Sequence, residues 1–340
     1  MRVIPYRLQG LYPTKYIVTG GNRLKKSVLV GNGINIQFGG YTNYSGQAIM
    51  QRVINNIANG KYNPLVNYEI SQDEMLGILE GLVNIINKVK RGQLTQYADG
   101  LFFVLEMDRI KRTYPDNSTI TSVFLEDYFL AAEIFTNMYK ETDGEEKSEF
   151  YRKSIFDFLH YIIVDGIYND GLINEIHKNY SSKMESFLKK YDNIFTVNYD
   201  YNLERFLADQ KNIYHLHGEF DKLAPEYEND DGLIDELRHV YSNSIMSWSW
   251  LDKYGGLTVT PLAQPYNKFC SINGVLEIIG LAPANDEHLF IAINNNPSIT
   301  HIVYYYYDEN DISEIPHHIK KSVSFKKVQN LWSDLLDTEG

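Results

Sequence analysis

The feature that most constrains the fold of this 340-residue chain is an apolar strand that runs directly into a glycine-rich turn. The strand is predicted over Lys25–Val30, and the turn Gly31-Asn32-Gly33-Ile34-Asn35 follows it. Nucleotide-binding α/β folds begin in this way, because glycine lets backbone N–H groups approach a pyrophosphate. The turn lacks the full G-x-G-x-x-G pattern, so an ordinary tight turn is the competing interpretation.

Later apolar runs predict further strands, and helical stretches separate several of them. Four of these strands are predicted at Asn193–Val197, Asn212–His217, Val275–Ile279 and His301–Tyr306. Another strand and a closing helix are predicted within Ser322–Asp337. Strands that alternate with helices indicate an α/β fold with a Rossmann-like, mostly parallel sheet. Residues 45–190 have helical spacing instead, and a capping box lies at Ser71–Glu74. We therefore predict a core of residues 1–44 and 191–340 with a large helical insertion over residues 45–190.

Net charge and cysteine content exclude several classes of protein. The formal net charge of −12 argues against a broad basic face, and therefore against direct nucleic-acid binding. The single cysteine, Cys270, excludes an internal disulfide and a cysteine-cluster zinc site. No apolar run reaches the roughly 20 residues that span a bilayer, and the first residues lack the apolar core of a secretory signal. These features predict a cytoplasmic protein that does not bind membranes.

Three polar segments each follow a predicted strand. They are Gly31–Asn35, Thr196–Asp200 and His215–Gly218. In an open α/β sheet, ligands bind at the carboxyl ends of the strands, so one fold can bring all three segments to one cleft.

These three segments resemble the signatures of the sirtuin-like superfamily. There, a Gly-Ala-Gly-Ile-Ser turn holds the phosphates of NAD, and Gly31–Asn35 is similar to it. A Thr-Gln-Asn-Ile-Asp segment of the family supplies an asparagine that faces the nicotinamide ribose, and Thr196–Asp200 corresponds to it. A His-Gly pair supplies the catalytic histidine, and His217-Gly218 resembles it. Glu204 also fits an Asn-Tyr-Asp…Leu-Glu variant of the bacterial sirtuin-like proteins.

The departures from the family pattern narrow the expected activity. Protein-deacylating sirtuins carry four zinc-binding cysteines after the catalytic histidine, whereas this chain has Cys270 alone. The arginine-containing loop of the family is replaced by Phe38–Thr42, and the Gly-Thr-Ser turn by Gly280-Leu281-Ala282. Asp286 stands where sirtuin-like NAD hydrolases often have an aspartate. The chain thus resembles the zinc-free sirtuin-like NAD hydrolases of bacterial antiphage and abortive-infection systems, and a deacetylase is disfavoured.

The resemblance implies a role for each matched residue. The nucleotide-binding residues that it implies are Gly31, Asn32, Gly33, Asn35, Thr196, Gly280 and Asp286. Asn198 would orient the ribose or a water, because its amide both donates and accepts hydrogen bonds. His217 would act as a general base, since a histidine has an ordinary pKa of about 6.5. Asp200 would hold the loop or orient His217.

These assignments have structural alternatives. Asn198 and Asp200 belong to residue types that cap helices, and a helix is predicted to begin at Tyr201. By alternation, His215 and His217 lie on one face of the predicted strand, and we assign His215 the role of a hydrogen-bonded core histidine. No third ligand accompanies the two histidines at metal-binding spacing, so no metal is predicted.

The activity implied by the resemblance is an NAD+ hydrolase, with NAD+ as substrate and ADP-ribose and nicotinamide as products. A cyclase would pass through the same ribosyl cation, so the sequence does not separate the two. A catalytically silent NAD- or ADP-ribose-binding module of a multi-protein defence complex is the main alternative. A hydride-transferring dehydrogenase is the third alternative. It is less favoured because no acidic residue that would bind the ribose follows the first glycine turn at the expected place in a second strand. Since unrestrained NAD+ loss would poison the host, we expect control by homo-oligomerisation or by a separate defence-system protein.

Overall fold

The centre of the protein is a six-stranded sheet in which every neighbouring pair of strands is parallel. The computed structural model describes residues 25–63, 71–97, 101–208, 212–224, 227–231, 235–244, 263–282 and 286–336. The strands are β1 (Lys26–Val30), β2 (Asn193–Thr196), β3 (Ile213–His215), β4 (Gly274–Ile279), β5 (Ile299–Tyr306) and β6 (Val323–Lys327). Their order is β3-β2-β1-β4-β5-β6, which is a Rossmann order. The predicted α/β fold with a parallel sheet is confirmed.

The strands form because short apolar runs can be buried on both faces of a parallel sheet. Four of the five residues of β1 are buried, as are all four residues of β2. Val28 of β1 lies between Ile194 on one side and Glu277 on the other. The predicted last strand and closing helix are present as β6 and a helix over Val328–Leu335.

The third strand is shorter than the sequence predicts. β3 ends at His215, and the chain turns at Gly218, whose φ of +89° lies in the left-handed region. A Cβ at Gly218 would lie 2.1 Å from the carbonyl oxygen of Asn243, so glycine is required there. His217 therefore lies beyond the strand, and the prediction that it shares a strand face with His215 is wrong.

Helices cover both faces of the sheet. In the described residues they are α1 (Gly33–Gly39), α2 (Tyr41–Tyr44), α3 (Gly46–Ala58), α4 (Gln72–Lys90), α5 (Leu101–Thr113), α6 (Leu125–Asp143), α7 (Glu145–Tyr168), α8 (Ser182–Leu188), α9 (Asn202–Phe206), α10 (Ala263–Cys270), α11 (Glu287–Asn295), α12 (Glu309–His318) and α13 (Val328–Leu335). Shorter 3₁₀ segments lie at Thr95–Tyr97, Ile120–Ser122, Asn169–Asn179 and Asp235–Tyr241. Among these helices, none has the length and apolar character needed to cross a membrane.

The helical character predicted for residues 45–190 is present, with one difference at its end. The capping box at Ser71 opens α4, where the Ser71 amide donates to the Glu74 carboxylate at 2.7 Å. The helical spacing of the sequence continues through Asn174–Lys190, where the structure has a 3₁₀ segment followed by α8. Between them the backbone is extended at Tyr180 and Ser181, and the Ser181 hydroxyl caps α8 by accepting from the Met184 amide at 3.1 Å.

Two apolar clusters give the molecule three layers. The larger cluster joins α3, α4, α6 and α7 to one sheet face, which includes Val28, Ile194 and Ile279. The smaller cluster joins α10, α11 and α12 to the opposite face, which includes Leu29 and Phe195. The helices of residues 45–190 thus share a core with the sheet. The domain boundaries remain predictions, and residues 1–24 of the predicted core lie outside the described residues.

Candidate active site

The strand order defines one point where the chain changes direction across the sheet. From β1 the chain continues to β2 and β3 on one side, and it then returns to β4 on the other side of β1. The crevice outside the carboxyl ends of the strands at such a switch point is the usual ligand site of open α/β sheets. We call the region beyond the carboxyl ends of β1, β2 and β4 the switch point.

Two glycine turns meet at the switch point. The amide of Gly31 donates to the Ile279 carbonyl, and that of Gly33 donates to the Gly280 carbonyl, both at 2.9 Å. A Cβ at Gly33 would lie 2.5 Å from the Cα of Gly280, so the two turns pack backbone against backbone. Gly280 itself has a φ of +66°. The glycines are therefore required for this close approach, and the amides of Gly31 and Gly33 are engaged within the protein.

The asparagines of the first turn have different environments. Asn32 is exposed, and its Nδ2 donates to the Tyr44 carbonyl at 3.0 Å. Asn35 is buried, with 1% of its surface exposed, and its Nδ2 donates to the Asp200 carboxylate at 2.7 Å. Among the described residues, the buried Oδ1 of Asn35 has no hydrogen-bond partner. A buried acceptor without a donor costs about 1–3 kcal/mol, so this oxygen is a candidate contact for a ligand.

Asp200 ties the loop after β2 to α1. Besides Asn35, its carboxylate accepts from the backbone amide of Asn202 at 3.0 Å and from the Asn202 side chain at 2.5 Å. Burial raises the pKa of Asp200 and outweighs the hydrogen bond from Asn35, which lowers it. These bonds fit the predicted role of holding the loop, and Asp200 lies one residue before Tyr201, the N-cap of α9. Its hydrogen bonds go to the two asparagines and not to His217.

Asn198 lies between the ends of β1 and β2. The backbone amide of Asn198 donates to the Thr196 hydroxyl at 3.0 Å, and the side-chain Nδ2 of Asn198 lies 3.5 Å from the Gly31 carbonyl oxygen. Thr196 and Asn198 are both buried. Thr196 thus fixes the backbone of Asn198, while the side-chain amide of Asn198 lies next to Gly31 in the first glycine turn.

His215 contacts the loop after β2 and the side chain of Glu204. Its Nδ1 lies 2.7 Å from the Asn198 carbonyl oxygen, and its Nε2 lies 2.9 Å from Oε1 of Glu204. Burial alone would lower the pKa of His215, but the hydrogen bond and charge of Glu204 raise it above its ordinary value. Since both neighbours are acceptors, the imidazolium form donates to each of them. His215 is a hydrogen-bonded core histidine, as assigned from sequence.

His217 reaches across to the segment after β4. Its Nε2 lies 3.1 Å from Nε2 of His288 and 3.7 Å from Oδ1 of Asp286. The two imidazole rings stack with their centroids 5.1 Å apart at an interplanar angle of 25°. All three side chains are buried. We call His217, Asp286 and His288 the switch-point cluster.

The family resemblance implies a nucleotide contact for Asp286 and no role for His288. Asp286 precedes α11 and His288 lies in its first turn, so both are carried by the start of one helix. The Asp-x-His spacing is visible in the sequence, but His288 is 71 residues from His217. No local pattern around His217 points to this partner.

No protein-family model matches this chain, and no curated protein matches its sequence. Its function is therefore inferred from the residues of the site and their contacts.

Proposed function

We propose that this chain is an NAD+ glycohydrolase, which cleaves the bond between nicotinamide and ribose without using zinc. The observation that carries the proposal is the meeting of the matched segments at one edge of the sheet. The turn after β1 packs on Gly280, Asn198 lies against Gly31, and His217 reaches the segment after β4. A dinucleotide binds at this edge in Rossmann-order sheets.

The buried polar groups fit a nucleotide. The Oδ1 of Asn35 finds no donor in the part of the chain that the structure describes, and a ribose hydroxyl or a water would supply one. Asn198 offers both a donor and an acceptor through its amide. Because the amides of Gly31 and Gly33 donate to the carbonyls of Ile279 and Gly280, these glycines would shape the diphosphate crevice rather than donate to it. Gly280, Asn32 and Thr196 would complete the same crevice.

The first chemical step is departure of nicotinamide. The electron pair of the bond from ribose C1′ to the ring nitrogen moves to the nitrogen, so nicotinamide leaves as a neutral molecule. The ribose then carries positive charge as an oxocarbenium-like species. A carboxylate close to this centre would stabilise the developing charge, and Asp286 is the acidic member of the switch-point cluster.

The second step is attack by water at C1′. The water oxygen forms the new bond, and one proton passes to the imidazole of His217. His288 lies 3.1 Å away and can share that proton until it reaches solvent. NAD+ and water thus give nicotinamide, ADP-ribose and one proton.

The physiological role follows from the sirtuin-like resemblance. Depletion of NAD+ in the cytoplasm would serve antiphage defence by abortive infection. Because such an activity must stay silent in a healthy cell, we propose control by homo-oligomerisation or by a separate defence-system protein.

The test is nicotinamide release from NAD+ by the purified chain and by Asn198→Ala. Asn193→Ala is the matched control, because Asn193 is a buried asparagine at the opposite end of β2, bonded to Ser27. We expect release by the wild type and by Asn193→Ala, and a loss of at least about tenfold in Asn198→Ala, which corresponds to about 1.4 kcal/mol.

Chromatography of the products separates the alternatives. A lone ADP-ribose peak beside nicotinamide supports the hydrolase, whereas a cyclic isomer indicates a cyclase. Binding of NAD+ without any nicotinamide release, also in the presence of a co-purifying partner, would refute the enzyme and favour the silent module.

A further inference from the structure

The switch-point cluster has the composition of a metal site. Two imidazoles and one carboxylate are a common set of three protein ligands, which leaves further positions open for water or a substrate. Nitrogen-rich sets of this kind suit zinc and its transition-metal neighbours better than magnesium or calcium. One ligand atom from each of His217, Asp286 and His288 lies within 4.8 Å of the other two.

The distances agree with one ion between the three side chains. Bonds of about 2.0–2.1 Å in a tetrahedral zinc site place neighbouring ligand atoms about 3.3 Å apart. The two Nε2 atoms are 3.1 Å apart, and Nε2 of His217 lies 3.7 Å from Oδ1 of Asp286. These two separations lie within about 0.4 Å of the required value, and the ligand atoms of His288 and Asp286 lie within 4.8 Å of each other.

The backbone holds the three residues in place. The amide of Leu216, next to His217, donates to the Thr196 carbonyl at 2.8 Å, and Gly218 follows in its required left-handed conformation. Asp286 and His288 are fixed by the start of α11, where the Leu289 amide donates to the Asp286 carbonyl at 2.9 Å. Two separate, hydrogen-bonded segments thus aim their ligands at one buried point.

We propose that His217, Asp286 and His288 form a binding site for one divalent transition metal ion of the zinc type. Sequence spacing alone predicts no metal, because no third ligand accompanies His215 and His217 at metal-binding spacing. The fold supplies the second and third ligands from the start of α11.

The proposed site has a consequence for NAD+ cleavage, and this consequence rests on the proposed function. The lone pair of His217 Nε2 cannot bind a metal and accept a proton at the same time. Zinc would therefore inhibit nicotinamide release. Metal binding itself does not depend on the activity, so the two ideas can fail separately.

The experiment uses the full chain after treatment with a chelator and its removal. Cobalt(II) is titrated in, its visible absorption bands are recorded, and zinc is then added to displace it. The variants are His288→Ala and the near-isosteric Asp286→Asn. The control is His301→Ala, which removes a histidine on β5 that hydrogen-bonds to Ser324. Circular dichroism verifies that each variant is folded.

We expect the wild type and His301→Ala to bind one cobalt ion per chain, with displacement by zinc. Each cluster variant should bind at least about tenfold more weakly, since even residues that only support metal ligands contribute 10–100-fold to affinity. Absence of a cobalt spectrum in the wild type, or a spectrum that both cluster variants retain, would overturn the proposal and leave a proton as the link between the two histidines.

Discussion

Two buried histidine–carboxylate clusters in this protein differ in the geometry of their contacts. In the helical layer, the Asp165 carboxylate lies 3.0 Å from Nε2 of His239 and 2.9 Å from Nζ of Lys61, and it accepts a hydrogen bond from the Tyr62 hydroxyl at 3.0 Å. The ring of Tyr168 stacks on His239 with centroids 4.0 Å apart. We call Asp165, His239, Lys61 and Tyr62 the helical-layer cluster.

The switch-point cluster has another geometry. Its two imidazoles face each other through their Nε2 atoms, and the distance from His217 to Asp286, 3.7 Å, is longer than a direct hydrogen bond. A closed network with a lysine stabilises one structure, whereas facing nitrogens can exchange a proton or take a ligand. We therefore assign the first cluster to the stability of the fold and, under the proposed function, the second cluster to catalysis.

The largest effect on stability is expected in the helical-layer cluster. Asp165→Asn weakens the hydrogen bonds from His239, Tyr62 and Lys61 to a buried carboxylate, although Lys61 keeps Asp170 as a partner. It should lower the free energy of unfolding by about 2–4 kcal/mol, because hydrogen bonds to a buried charged acceptor are among the strong ones. Urea denaturation measures this loss. Nicotinamide release per folded molecule should stay at the wild-type level, and a large loss of it would break the comparison.

The same cluster gives a pH dependence with a definite sign. Burial alone would raise the pKa of Asp165, but the hydrogen bonds from His239 and Lys61 lower it below its ordinary value of 3.8. A carboxylate with a lowered pKa stabilises the fold above that ordinary value, and the stabilisation is lost as the pH falls through the folded pKa. The difference in stability between wild type and Asp165→Asn should therefore shrink below about pH 4.

An intermediate effect is expected where the two glycine turns meet. A Cβ in Gly33→Ala would collide with the backbone of Gly280 and should cost about 1–3 kcal/mol of stability. Gly77→Ala in α4 is the matched control, because nothing lies within 4 Å of its new Cβ. Removing a helical glycine there should stabilise the protein by about 0.5–1 kcal/mol. Thermal unfolding of both variants measures the contrast, and equal losses would contradict the close packing.

The smallest effect is expected at His215, which supports Asn198. Because Glu204 raises the pKa of His215, its protonated form stabilises the fold below the ordinary value of 6.5. This stabilisation is lost as the pH rises through the folded pKa. Glu204→Gln should cost about 1 kcal/mol at pH 6 and less at pH 9, when unfolding is followed in urea at both values. A larger loss of stability at pH 9 than at pH 6 would contradict the raised pKa of His215 beside Glu204.

The strands of the sheet can be predicted from the sequence, because they are short apolar runs with polar residues directly after them. Since parallel strands align their carboxyl ends, the segments after β1 and β2 were expected to meet, and Asn198 does lie against Gly31. The Ser71 capping box is a local signal, and it marks the start of α4 as predicted.

The rest depends on contacts between distant parts of the chain. His217 leaves the strand because Gly218 turns there, which the histidine alternation does not reveal. Its partner His288 is 71 residues away, and His239 is 74 residues from Asp165. Pairs so far apart in the chain produce no periodic pattern in the sequence. Tertiary packing brings them together, so the switch-point cluster became visible only in the folded structure.

The most direct test of the account compares His217→Gln with His239→Gln, one matched substitution in each cluster. The turnover number for nicotinamide release and the free energy of unfolding are measured for both. We expect His217→Gln to lose about 10²–10⁴-fold in turnover and little stability, because general base catalysis has that magnitude. His239→Gln should lose stability and keep its turnover per folded molecule. Wild-type turnover in His217→Gln, or an equal loss of turnover in both variants, would contradict the account.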